Sequence, residues 1–113
     1  MGSYISRNFD PGTTTGLSVA VDTNVADAQE VNYEEAAGGE IYVPSTSSIT
    51  SLTFHVAPFR GGTFYPAKNS ANAAVSQAVT AGSAYPISPS IFGSGAFKLV
   101  GDADGTVFIT FKG

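Results

Sequence analysis

Cysteine and tryptophan are absent from the 113 residues, and the one methionine is the first residue. Without cysteine, neither disulfides nor thiolate-held metals can support the fold, which leaves core burial or association with other subunits. Charge is scarce too: Asp, Glu, Lys and Arg supply 12% of the chain, about half the share usual in soluble domains. Ser, Thr, Gly, Ala and Asn must therefore make up most of the surface. Five basic residues against nine acidic ones give a net charge of -4. A nucleic-acid partner needs clustered Lys or Arg to displace counterions, so none is expected. No apolar run approaches the roughly 18 residues of a membrane span, and Met1 to Asp10 lacks the basic-then-apolar layout of a secretory leader. No membrane association is expected, and the length suits a single domain.

What the chain does contain is alternation. Val107, Ile109 and Phe111 alternate with Thr106, Phe108, Thr110 and Lys112, which describes a strand with one buried face. Leu52, Phe54 and Val56 alternate with Thr53, His55 and Ala57 until Pro58 removes a ladder donor. Leu17 to Asp22, Ile41 to Val43 and Phe97 to Leu99 repeat the pattern, with weaker versions at Tyr4 to Phe9, Thr63 to Ala67 and Ala73 to Val79. Turn clusters such as Asp10-Pro11-Gly12, Gly61-Gly62 and Asp104-Gly105 separate them at intervals of about ten residues. The expected fold is all-β, a single antiparallel β-sandwich, jelly-roll-like, of about seven to eight short strands. Residues 16–113 are expected to form the sandwich, and residues 1–15 an N-terminal arm or first edge strand. The stretch from Asn24 to Gly39, rich in Ala and acids, reads either as a short helix or as a solvated loop. Phe97 to Val100 and Thr106 to Lys112 are expected to pair as a hairpin, with Asp104-Gly105 supplying positive dihedrals at the reversal.

Catalytic chemistry has little footing. The only histidine, His55, falls on the polar parity of its strand, without a cysteine or a serine in a nucleophile elbow to pair with. Glu34, Glu35, Asp102 and Asp104 lie in expected loops, where solvated carboxylates are the simpler reading. The Asp102-Ala103-Asp104-Gly105 fragment shares the start of a calcium loop but lacks its later ligands, including the closing glutamate. Gly61-Gly62 and Gly93-Ser94-Gly95 have no phosphate-binding context. No catalytic residue, metal site or cofactor is assigned, and the protein is not expected to be an enzyme.

Binding is the better fit. Asp22, Asp27, Glu30, Glu34, Glu35 and Glu40 cluster in the first half, whereas Arg60, Lys68, Lys98 and Lys112 lie in the second. Glu34 and Glu35 would belong to a docking patch for a basic surface, or simply to a solvated loop. A surface with so few charges has weak colloidal protection, which suits either a subunit packed into an assembly or a secreted-type module. Phe108 points opposite to the buried parity of its strand and marks either an interface or a position covered by a neighbouring element. Tyr42, Tyr65 and Tyr85 are the residues that could form a sugar-stacking platform, although tyrosines serve equally as partly buried sandwich residues.

From Ile49 to the end, one order of features stands out. It comprises Ser51 to Pro58, a Gly-Gly turn followed by Thr63 to Pro66, an Ala/Val-rich strand, Ala81 to Ile87, Ile91 to Gly93, Phe97 to Gly101, and Gly105 to Gly113. This order resembles that of small β-sandwich proteins encoded in the structural gene clusters of tailed bacteriophages, over a little more than half the chain. The resemblance implies a virion component, of the capsid decoration (cement) type, that binds the major capsid protein on the capsid surface and carries no catalytic residue. A homo-oligomer is expected. Tyr4, Ile5 and Phe9 would then belong to an arm that orders on the capsid or against a sister subunit. The alternative is a carbohydrate- or receptor-binding module of a phage tail or secreted protein, using Tyr42, Tyr65, Tyr85 or His55.

Overall fold

The computed structural model describes the backbone of residues 4–5, 15–32 and 38–112, and the side chains of residues 17–32 and 38–111. Ten strands follow in order: β1 (Tyr4–Ile5), β2 (Thr15–Val21), β3 (Glu30–Val31), β4 (Gly38–Tyr42), β5 (Ser51–Ala57), β6 (Tyr65–Pro66), β7 (Ser76–Ala78), β8 (Ala84–Pro86), β9 (Ala96–Gly101) and β10 (Gly105–Lys112). One 3-10 turn, Pro89–Gly93, is the only helical element among the described residues. The strands form two sheets, one ordered β1-β3-β9-β5-β6 with β7 also on β5, the other β2-β10-β4-β8. The fold is the all-β antiparallel sandwich that the alternation implies.

The pairing is nested. β2 pairs with β10, β3 with β9, β4 with β8, and β5 with β6 and β7. Successive strands β2, β3, β4 and β5 alternate between the sheets, so one long hairpin is rolled up into a double-sheet jelly roll. The sheets touch where β2 runs on: Asp22 forms a parallel bridge to Val100, and its C=O accepts from the Gly101 N–H at 3.0 Å.

This topology overturns the expected closing hairpin. β9 pairs with β3 and β5, while β10 pairs with β2 and β4 in the other sheet. The linker is thus an arch between sheets, and it needs no left-handed backbone: the positive-φ residues are Asn72, Gly61 and Gly82, not Gly105. Carboxylates hold it instead. Asp102 accepts from the N–H groups of Thr50 at 2.9 Å and Ser51 at 3.2 Å, and Asp104 accepts from that of Thr23 at 3.0 Å. Gly101 stands where a Cβ would come within 2.7 Å of Val21 and 2.8 Å of the Ala103 carbonyl, so the arch closes tightly onto β2.

Inward-facing residues of both sheets form one core. Phe97 packs edge-on against Phe54 at 5.7 Å and against Phe111 at 6.4 Å between ring centroids, which ties the two sheets together. Val19, Ile41, Leu52, Leu99, Val107 and Ile109 close around them, fully buried. Each such side chain contributes roughly 1.5–3 kcal/mol.

Between Asn24 and Asn32 the chain makes turns and then β3, so over these residues neither a helix nor a wholly solvated loop is present; residues 33–37 lie outside the described residues. Glu30 and Asn32 are buried, the only polar residues that are among the described residues. The Glu30 carboxylate accepts from the Asn32 amide at 3.1 Å and from the Gly61 N–H at 2.9 Å, which satisfies it inside the fold. Gly61, at φ 77°, supplies the left-handed turn that brings its N–H to this carboxylate.

Candidate interaction surface

The outer face of the sheet β2-β10-β4-β8 carries two of the exposed large hydrophobic residues, Tyr42 and Phe108; Phe59 and Tyr65, also exposed, lie elsewhere. Side chains alternate along β10, so while Val107, Ile109 and Phe111 fill the core, Thr106, Phe108 and Thr110 point out. Register then decides their neighbours. Phe108 lies opposite Ser18 of β2 and Tyr42 of β4, and Tyr42 in turn lies opposite Ala84 of β8. Phe108 remains 46% exposed and Tyr42 41% exposed, so two aromatic residues sit side by side at the middle of the face. The Thr110 hydroxyl donates to the Tyr42 hydroxyl at 3.5 Å.

Around this pair the face is nearly neutral. Ser18, Ala20, Thr106, Ala84 and Pro86 are exposed, and Glu40 is the only charged side chain described there. An exposed aromatic centre with a small polar rim can exclude water against a complementary surface.

The other sequence candidates lie apart from it. Tyr4 and Ile5 form β1, parallel to Glu30 and Val31 at the edge of the opposite sheet. Phe9, Glu34 and Glu35 lie outside the described residues. The tyrosines do not share a platform: Tyr42 is on the outer face just described, and Tyr65 is exposed on β6 of the other sheet. Tyr85 packs against the core, where its hydroxyl accepts from the Thr80 N–H at 2.8 Å.

His55 pairs across strands with Lys98 on the opposite sheet. Burial, and then the Lys98 charge, hold its pKa below the ordinary histidine value. Lys98 itself is engaged, donating to the Val25 carbonyl at 3.0 Å and lying 4.9 Å from the Phe64 ring centroid. Asp102 accepts from the N–H groups of Thr50 and Ser51 and Asp104 from that of Thr23, and no described trio of His, Asp or Glu is placed to hold a metal ion. A cleft of about 380 Å³ beside Lys68 is lined by Val56, Val75, Ile91 and Ser94, without converging acid and base groups.

Sequence reasoning found Phe108 from parity alone but missed its pairing with Tyr42. It also missed the burial of Glu30, for which the single sequence offers no signal. No family model, curated protein or solved structure matches the chain.

Proposed function

We propose that this protein is a capsid decoration (cement) protein of a tailed bacteriophage, which binds the shell of the major capsid protein and stabilises it. The observation that carries the reading is the exposed Phe108–Tyr42 pair at the centre of a nearly uncharged sheet face. The order of strand and turn features from Ile49 onward supports the phage assignment. The double-sheet jelly roll is in keeping with it, being common among viral capsid proteins.

Such a protein acts by adhesion. A contact of roughly 1,200–2,000 Å² between neighbouring capsid subunits is specific without being strongly hydrophobic. Binding to the assembled shell but not to its dissociated subunits stabilises it by mass action, about 2.7 kcal/mol per site at a hundredfold excess over Kd. The reading needs no bond-making step and no cofactor. A carbohydrate-binding role gains nothing from the placement of Tyr42, Tyr65 and Tyr85 on separate surfaces.

The test compares phage particles assembled with and without the protein, imaged and heated in parallel. Decorated shells are expected to carry regularly spaced added density and to release DNA at a higher temperature. Absence of the protein from purified particles would refute the proposal.

A further inference from the structure

β2 ends its sheet among the described residues, so one side of Thr15–Val21 has no described neighbouring strand. Such a side presents an N–H and a C=O at every second residue. At Ala20 both are taken: its N–H donates to the Gln29 side-chain oxygen at 2.9 Å, and its C=O accepts from the Gln29 N–H at 3.2 Å. Ala20 therefore directs its backbone groups away from β10. By the two-residue period Gly16 and Ser18, which lie opposite Thr110 and Phe108, do the same. No described residue bonds the outward backbone groups of Ser18.

Beyond the Gln29 contact at Ala20, charge, proline and bulge do not blunt this edge. Thr15–Val21 contains no charge and no proline, and its register with β10 runs without a bulge from Val21 opposite Gly105 to Thr15 opposite Phe111. One apolar residue on the strand's core face is also incompletely covered: Leu17 is half-buried, whereas Val19 and Val21 on the same face are closed.

We propose that a second copy of this chain pairs antiparallel with this edge about a twofold axis through Leu17, joining two four-stranded sheets into one. Gly16 then meets the partner's Ser18 in hydrogen-bonded pairs. Leu17 meets the partner's Leu17 in the non-hydrogen-bonded position, where opposing side chains come closest. The contact satisfies the open backbone groups and covers both leucines at once. Gln29 sets the register, because an axis at Ser18 or Val19 would require backbone groups of Ala20 that it already holds. The uncharged stretch offers nothing to a charged partner strand, whereas a copy of itself supplies a matching leucine. Such a twofold interface is isologous and self-limiting. It also sets both Phe108–Tyr42 faces on the same side of one continuous sheet, so each dimer meets a surface with two contacts.

Sedimentation equilibrium of the purified full chain tests this without capsids, so failure here is distinguishable from failure of the capsid reading. The mass is expected to rise from one chain toward two, with a dissociation constant between about 10 μM and 1 mM, as befits a short edge with one apolar pair. Ser18→Pro deletes an N–H that faces away from β10, a change that edge strands tolerate. It is expected to weaken dimerisation at least tenfold with the β-sheet circular dichroism and Tm retained. Ser18→Lys, on an exposed side chain, is expected to weaken it as well and decides the matter if the proline variant does not fold. A single-chain mass up to about 1 mM, or dimers as tight in both variants as in the wild type, would overturn the proposal. A wild type that stays monomeric overturns it whatever Ser18→Pro does to capsid binding, because Ser18 also lies beside Phe108 on the outer face.

Discussion

Asp102, in the arch between β9 and β10, caps the start of β5 by accepting hydrogen bonds from both the hydroxyl and the N–H of Thr50. The Thr50 side-chain bond, then the Thr50 and Ser51 N–H groups, hold the Asp102 pKa below the usual carboxylate range. The folded state thus prefers the ionised form, so its contribution is fully present above about pH 4 and is lost as the pH falls further. In thermal melts, Asp102→Asn is expected to lower Tm at neutral pH and to flatten the fall of Tm on acidification. An acid limb as steep as that of the wild type would show that Asp102 is not the group responsible.

Phe97 joins the two sheets through its edge-on contacts with Phe54 and Phe111. Phe97→Ala leaves a cavity where the two sheets meet. The expected loss is about 3–5 kcal/mol, a large part of a domain stability of about 5–15 kcal/mol. A urea titration measures it, and a shift in midpoint below that of a typical surface substitution would disprove the role.

Gly95 precedes β9 at a point where backbone meets backbone. A Cβ there would collide with the Pro58 carbonyl oxygen and stand 2.7 Å from the Phe59 Cα, neither of which can swing aside. The Gly95 N–H also donates to the Ala57 carbonyl at 2.8 Å, which fixes its position. Gly95→Ala is expected to cost about 1–3 kcal/mol. Gly93→Ala, with open space around the added methyl, should stay within about 0.5 kcal/mol of the wild type. Denaturant unfolding of the two variants side by side checks the contrast.

The long strands were readable because alternation is local: Val107-Phe108-Ile109 needs no distant information to show which side is buried. Their partners were not. Phe97 to Val100 and Thr106 to Lys112 looked like two arms of a hairpin, and Asp104-Gly105 suits a tight turn as well as an arch. What separates the outcomes is the pairing of β10 with β2 and β4, which are remote in sequence. β3 and β8, with two and three residues, are too short for a period to register. Glu30 resembled one more solvated acid because its partner N–H, at Gly61, lies 31 positions away. The interaction surface was half legible for the same reason, with the outward parity of Phe108 local and its meeting with Tyr42 a matter of register.

Phe108 is exposed, so its replacement should leave the fold intact while removing the centre of the adhesive face. Phe108→Asp is expected to stay within about 0.5 kcal/mol of wild-type stability. Yet a central aromatic anchor is worth about 2 kcal/mol or more at an interface, a loss of roughly thirtyfold in affinity. The decisive measurement is co-sedimentation of wild type and Phe108→Asp with capsids from which the protein has been stripped. Saturable wild-type binding, weakened at least tenfold by a variant that melts normally, is the expected outcome. Equal binding by both proteins, or none by either, would remove the Phe108–Tyr42 face as the site of attachment.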